Sequence, residues 1–512
     1  MLFNSIEFLY FFLPVVLAGF LLLQRTGKLR LILFWLVGCS MFFYAWWNPV
    51  YLLLLIFSAC ANYVLGTVLA KGGKDQGRHW LIIGIAFNLG LLTYFKYANF
   101  FIDNMRIAMD WSFEFEYIIL PLGISFFTFQ KIAYLVDSRK GLTGDHGFLE
   151  YCLFVAFFPQ LIAGPIVHHK DILSQFNNLT DRSRTAANLT FGLSILVVGL
   201  FKKVVIADSF AGFATGAFGS AEVGNPITTL DALAGIFSYT FQLYFDFSGY
   251  SDMAIGLACL FGIKLPVNFF SPYRARNISE FWSMWHATLS RFLRDYVYAP
   301  LGGFFCSPNR QRFNLFATMF IAGAWHGAGW TFIVYGICHG SYMIIHQLWR
   351  IKVAGPLGLV GKKSYGALAQ VFTFLVVALT LVVFRAGSLA DAGRMYSAIF
   401  HWNGFGFSPQ YLYAISQNNI LKFTVELFGD KYIESVIFSL LALALAACWL
   451  LPSCYQLFRR CDVAIARPEA GREPVIDLQW QANRAWAIYI GLLAIASLVS
   501  ITQVSPFLYF QF

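Results

Sequence analysis

EFLYFFLPVVLAGFLLLQRTGKLRLILFWLVGCSMFFYAWWNPVYLLLLIFSACANYVLGTVLA, residues 7–70, decides the fold class. It holds three apolar runs, 7–24, 29–47 and 50–70, separated by a gap carrying Arg25, Lys28 and Arg30 and by Asn48-Pro49. A helix needs about 20 mostly apolar residues to cross the hydrocarbon of a bilayer, and each run is close to that length. Comparable runs follow at 80–97, 189–206, 228–246, 367–384, 435–452 and 484–503. The pattern predicts an all-α polytopic membrane protein.

Composition agrees. Of 512 residues, 58% are hydrophobic and only 12% charged, about half the charge a soluble globule carries on its surface. The net charge of +10 is spread over short gaps between apolar runs. It forms no basic stripe with interleaved aromatics, so nucleic acid is excluded as a partner, and membrane lipid is the expected surrounding. None of the nine cysteines forms a CxxC pair, and neither a metal site nor a disulfide framework is indicated. The first run has an acidic leading flank and no small-residue cleavage site, and reads as a retained span.

Between the clean runs lie interrupted ones at 118–136, 151–167, 250–263 and 313–348, with Pro121, Gly123, Pro159, Gly164 and Pro165 among the breaks. Broken helices at membrane depth survive only inside protein or beside a water-filled cavity. The middle of the chain is therefore the expected functional core, and the clean helices its wall. Basic loops face the cytoplasm. Arg25, Lys28 and Arg30, then Lys71, Lys74 and Arg78, then Arg350, Lys352, Lys362 and Lys363, then Arg459, Arg460, Arg467 and Arg472 are such loops, whereas 98–117 carries Asp103, Asp110, Glu114 and Glu116. This places the N-terminus, 386–434 and the C-terminus outside. The expected organisation is a membrane core over 1–390, an extracytoplasmic region over 391–434 and two terminal spans with a cytoplasmic connection over 435–512. No internal repeat of the kind many transporters carry is evident.

Two stretches concentrate chemistry. Residues 266–303 read PVNFFSPYRARNISEFWSMWHATLSRFLRDYVYAPLGG. Asn277 and Glu280 predict a capping box opening a helix that runs to about Tyr298. His286, Arg291, Arg294 and Asp295 make it too ionisable for a lipid-facing span, and Trp282, Trp285, Phe292 and Tyr296 suit an interfacial or funnel-lining helix. Arg291 and Asp295 also have the spacing of a solvated i,i+4 pair. The second stretch is GAWHGAGW, 323–330, where His326 sits in an apolar run among glycines that permit close backbone approach. His339 and His346 share one helix face and read as packing residues. His168 and His169 read as interfacial, and His79, His146 and His401 as loop residues.

In order along the chain, FFYAWWNP (42–49), YFKYANF (94–100), LPLGISFFTFQKIAYLVD (120–137), FPQLIAGPIV (158–167), FKKVVIAD (201–208), YFDFSGYSDMAIG (244–256), the 266–303 block and GAWHGAGWTFIVYGICHG (323–340) resemble the membrane-bound O-acyltransferase (MBOAT) family. The match is to its bacterial polysaccharide branch, that of the alginate O-acetyltransferases, and more distantly to the D-alanyl transfer proteins. Each motif alone is weak; the ordered series is specific. VFRA (383–386) also fits, and the region after about 390 matches loosely.

The resemblance implies a helical wall around a thin core with re-entrant segments and a transmembrane conduit. It implies His326 as the catalytic histidine of the WHG motif and His286 as the second histidine of FW-x-x-WH, with Arg294, Asp295 and Tyr296 as the following RDY triplet. A basic pair is common in the family where Ser283 and Met284 stand here. His326 would be general base, and His286 would orient the acceptor or polarise the thioester carbonyl. Trp325, Asn268, Ser290, Trp282 and Trp285 would line the site. No permanently bound cofactor is expected. Acetyl-CoA would be the acyl donor, and a periplasmic acetyltransferase partner would finish the esterification of the polymer. The competing class is a transporter or flippase for a polysaccharide precursor, which also shows broken helices and intramembrane ionisable groups.

Overall fold

A computed structural model describes residues 1–512 except 72–73, 111–114, 145, 417, 419–420, 423–425, 427–429, 466–470, 502–506 and 509–512. Glu114 and Arg467 of the loop-charge reading lie outside the described residues. Among those described the chain is helical, and its only β pairing is an isolated bridge between Pro266 and Ile465. Among the described residues, six helices have the length and apolarity to cross a membrane: Glu7–Gln24, Pro49–Lys71, Gly77–Met109, Thr185–Glu222, Lys363–Arg385 and Ile433–Leu450. Leu29–Ala45 and Arg484–Ser500 are shorter apolar helices. Phe11, Phe34, Leu53, Phe57, Leu368, Phe372, Leu443 and Leu492 are all exposed on these helices. Water would not tolerate so much apolar surface on a monomer; lipid does.

The chain divides into two compact units. The first comprises Met1–Val197, Tyr250–Val267 and Arg460–Arg467. At its centre helix Ile124–Arg139 is buried along almost its whole length and packs against Pro49–Lys71 and Lys74–Leu92. Its Lys131 is fully buried, donating to Ser58 Oγ at 2.9 Å with its ammonium 4.1 Å from the Phe127 ring centre. From Ile124 on, the interrupted stretch 118–136 is thus inside protein, whereas Ile119, ahead of the break, is exposed. The stretch 151–167 is divided into Phe148–Ala156 and Phe158–Leu161, with Pro159 in the first turn of the second piece. His168 and His169 are buried in the protein. His169 Nε2 lies 3.0 Å from the Leu142 carbonyl, and Nδ1 lies 3.3 Å from the Asp137 carboxylate.

The second unit comprises Val198–Gly249, Asn268–Arg459 and Pro468–Phe512. The run 228–246 and the stretch 250–263 are one helix, Thr229–Leu260. It is a core helix and not part of the lipid-facing wall, because it buries Asp231, Gln242 and Asp246. Asp246 receives Lys203 Nζ at 2.8 Å, Lys203 also reaches Asp208 at 2.6 Å, and the Leu508 amide donates to Asp246 at 3.0 Å. Buried charges survive when paired and hydrogen-bonded in this way.

The stretch 313–348 folds as two helices, Pro308–His326 and Trp330–Trp349, joined by extended Gly327–Gly329. Glycine is required where they touch: a Cβ on Gly323 would stand 2.6 Å from Gly336 Cα, and one on Gly336 2.8 Å from the Met319 carbonyl. A Cβ on Gly327 would enter the Phe332 ring. The glycines of GAWHG thus close a tight helical hairpin with His326 at its bend.

Candidate active site

The helix expected from Asn277 to Tyr298 is broken. Asn277 caps it, its side chain accepting from the Glu280 amide at 2.9 Å. The box is not reciprocal, because Glu280 accepts from the Arg276 amide at 2.8 Å and pairs with Arg472. The first piece, Ile278–Met284, ends at Trp285, which is extended, and the second, Ala287–Leu293, follows His286. His286 is left-handed, with φ 43 and ψ 50, a conformation that L-residues adopt at a price and that marks functional turns. The last part, Arg294–Tyr298, is a π-helical turn. The break turns His286 inward, where it is fully buried.

Asn268 fixes its chemistry. Asn268 Oδ1 lies 3.0 Å from His286 Nδ1, 2.9 Å from Thr288 Oγ1 and 3.4 Å from the Thr288 amide. A backbone N–H can only donate, so the atom facing all three is the oxygen. His286 Nδ1 therefore carries the proton and Nε2 keeps its lone pair. Burial pushes the His286 pKa down to about 3, which holds the ring neutral. The Ala287 amide donates to the Asn268 carbonyl at 3.0 Å, so the two segments are tied by main chain as well.

His326 is the last residue of its helix and is buried. Its ring centre lies 5.1 Å from Trp325, 5.2 Å from Phe384 and 5.9 Å from Tyr335. Trp325 also faces His286 at 6.0 Å, and Phe247 stands edge-on to His286 at 4.8 Å. The two histidines thus share one aromatic wall, with Trp325 against both.

The other expected site residues fall into three groups. Trp282 donates from Nε1 to His339 Nδ1 at 3.2 Å, so His339 is the hydrogen-bonded packing residue expected, but packed onto the site: its ring is 4.4 Å from Tyr335. Trp285 packs with Phe281, Phe269 and Tyr273 one layer away. Ser290 Oγ donates to the Trp282 carbonyl at 2.7 Å, a structural bond that ties the two short helices together. Arg294 and Asp295 pair at 2.7 Å on the exposed side, Arg291 is 4.0 Å from Asp295, and Tyr296 packs on Phe292. Arg294 and Asp295 are thus solvent-accessible, whereas His286 and His326 are buried. Thr288, Tyr335, Phe247 and Phe384 belong to the layer and were not singled out from sequence. Thr288 lies in the 266–303 block, Phe247 in 244–256, Tyr335 in 323–340 and Phe384 in VFRA, so all four were within quoted motifs.

The arrangement offers a neutral imidazole with a defined acceptor nitrogen, a second buried histidine and aromatic walls that exclude water. These are the elements of proton abstraction in a dry acyl-transfer site. The profile of MBOAT, the membrane-bound O-acyltransferase family, matches residues 9–384. This chain belongs to that family. It is an acyltransferase embedded in a membrane by several passes. It is 42% identical to the peptidoglycan O-acetyltransferase of Helicobacter pylori over 79% of this chain and 80% of that one. It is 36% identical to the probable alginate O-acetylase AlgI of Pseudomonas putida over the full length of both. The teichoic acid D-alanyltransferase of Streptococcus thermophilus is more distant, 30% identical over 53% of this chain and 69% of that one.

Proposed function

We propose that this protein of the bacterial inner membrane takes an acetyl group from acetyl-CoA in the cytoplasm and passes it across the membrane for O-acetylation of an extracytoplasmic exopolysaccharide. The observation that carries the reading is the pair of buried histidines on Trp325, one with its tautomer set by Asn268. The full-length likeness to an alginate O-acetylase supports a secreted glycan as the polymer.

In this mechanism His326 removes the proton from the acceptor hydroxyl as its oxygen attacks the acetyl carbonyl carbon. A tetrahedral oxyanion forms and collapses, the C–S bond breaks, and the departing thiolate takes the proton back from the imidazolium. The fixed tautomer selects between the two roles open to His286. A neutral ring with Nε2 as acceptor cannot polarise a carbonyl, but it can accept a hydrogen bond and so orient the acceptor. A periplasmic acetyltransferase partner would then carry the group to the polymer.

The same tautomer supports a second assignment, in which His286 Nε2 is the base and His326 orients the acceptor. Acetyl content of the exopolysaccharide and of the peptidoglycan, measured in cells expressing His326→Ala or His286→Ala at normal membrane abundance, tests both. Loss from the exopolysaccharide, most severe for His326→Ala, is the expected result. Greater loss for His286→Ala exchanges the roles, and loss confined to peptidoglycan replaces the polymer. Normal acetylation in both variants sinks the reading.

A further inference from the structure

SPYRARN, residues 271–277, folds around one 3₁₀ turn, Pro272–Arg274, that places Arg274 in the interior with only 3% of its surface exposed. A guanidinium is always charged and carries five N–H donors. Arg274 Nε donates to the Cys448 carbonyl at 3.1 Å and Nη2 to the Leu451 carbonyl. These are carbonyls at the C-terminal end of helix Ile433–Leu450, so part of the side chain serves as a helix cap. Nη1 is buried without a hydrogen-bond partner, and among the described residues no carboxylate pairs with Arg274.

A helix C-terminus supplies only about half a negative charge, so the guanidinium keeps a net positive charge in a buried place. A second cation stands near. The Lys202 ammonium lies 5.6 Å from the Tyr244 ring centre, and Tyr244 packs on Tyr273, the neighbour of Arg274, with ring centres 5.2 Å apart. Arg276, two residues on, is exposed, with its guanidinium against Gly366, where a Cβ would lie 2.8 Å away. Buried positive charge with an unused donor is costly unless an anion completes it, and the guanidinium fork matches phosphate oxygens. Tyr273 stacks on Trp285 with centres 6.2 Å apart, and Trp285 precedes His286, so the arginine stands beside the aromatic layer that holds the histidine. The loop charges put the Leu450 end of one helix and the Lys363 end of another on the cytoplasmic side.

We infer that Arg274 is the buried contact for a phosphate of the acyl donor, with Arg276 as its solvent-side neighbour. The inference rests on the acetyl-CoA reading above, because that thioester carries its phosphates at the end of the arm opposite the acetyl group.

The test is binding of radiolabelled acetyl-CoA to the full-length protein in detergent, competed by CoA or by pantetheine, which has the arm without the phosphates. In the wild type CoA should compete at least tenfold better than pantetheine. Arg274→Gln should weaken CoA by about tenfold to a hundredfold and leave pantetheine unchanged. Arg274→Lys keeps the charge but loses the fork; it should show a smaller loss of the same selectivity and serves if the glutamine variant does not fold. Equal competition by CoA and pantetheine in the wild type, or equal weakening of both in the variants, reduces Arg274 to a helix cap and overturns the inference. Displacement of acetyl-CoA by added phosphatidylglycerol reassigns the site to a lipid headgroup and also overturns it. Failure of the wild type to bind acetyl-CoA removes the donor reading itself, a result distinct from loss of selectivity.

Discussion

Replacing Asn268 with alanine should uncouple His286 from its tautomer. In the native site Asn268 Oδ1 serves three donors: His286 Nδ1 at 3.0 Å, Thr288 Oγ1 at 2.9 Å and the Thr288 amide at 3.4 Å. The third is long, so the substitution strands about two effective donors in a buried place. Each stranded donor costs about 1–3 kcal/mol, which gives a stability loss of about 2–6 kcal/mol unless water fills the space. For catalysis only the His286 bond counts. Losing its 1–3 kcal/mol of tautomer preference corresponds to roughly a 5- to 150-fold lower rate. Thr288→Val removes one donor and keeps the His286 bond, so it should lower stability with little change in rate. Asn268→Asp retains the acceptor and should keep more activity than Asn268→Ala. The assay is polymer acetyl content against membrane abundance, with thermal unfolding of each purified variant. Asn268→Ala with wild-type acetylation at normal abundance would refute the argument that the tautomer of His286 matters.

His326→Ala should lower acetyl transfer by about 10²–10⁴-fold, the usual worth of a general base, while His346→Ala, half-buried and in contact with Ser279 Oγ at 3.4 Å, should be nearly silent; polymer acetyl content reads both. His339→Phe leaves the buried Trp282 Nε1 without its acceptor and should cost about 1–3 kcal/mol of stability, measured by thermal unfolding. Burial lowers the His286 pKa from 6.5 to about 3, so the neutral ring contributes stability that is complete above about pH 6.5 and is lost as the pH falls toward 3. At pH 5 the loss is about 2 kcal/mol, and His286→Gln should flatten the fall of the melting temperature between pH 7 and pH 5. Cysteine accessibility in intact cells should place 71–79 and 350–363 in the cytoplasm and 386–434 outside; finding the two basic loops on opposite sides overturns the orientation.

The helical class was legible because a bilayer imposes a length and an apolarity that few sequences mimic. The runs 7–24, 50–70 and 367–384 coincide with helices Glu7–Gln24, Pro49–Lys71 and Lys363–Arg385. The run 228–246 misled because hydropathy averages over faces. A helix that buries Asp231 and Asp246 against partners elsewhere in the chain looks as apolar as one facing lipid. The two histidines were legible through motifs, but the break at His286 was not. Asn277 and Glu280 promise a helix, and nothing local in FWSMWHATLS forbids its continuation. The break is enforced from a distance, by Asn268 and the Phe270 amide, which donates to the Met284 carbonyl at 3.0 Å.

Both histidines stand where the backbone leaves a helix: His286 between two short ones, His326 at the last position before an extended glycine segment. Such breaks orphan main-chain N–H and C=O groups, which hydrocarbon cannot satisfy. At His286 the surrounding protein satisfies them, with the Ala287 amide on the Asn268 carbonyl, the Phe270 amide on the Met284 carbonyl and Ser290 Oγ on the Trp282 carbonyl. A continuous helix would project a histidine from a cylinder whose backbone is already saturated. A broken one lets Trp325 approach both imidazoles and lets a side-chain amide reach a ring nitrogen. Burial permits this, because His286 and Asn268 are enclosed by protein and not by the lipid that would force the backbone back into helix. A substitution that restores helix across residues 284–288 should therefore damage the site more than its side-chain chemistry alone would suggest, since it removes the turn on which the orientation of His286 depends.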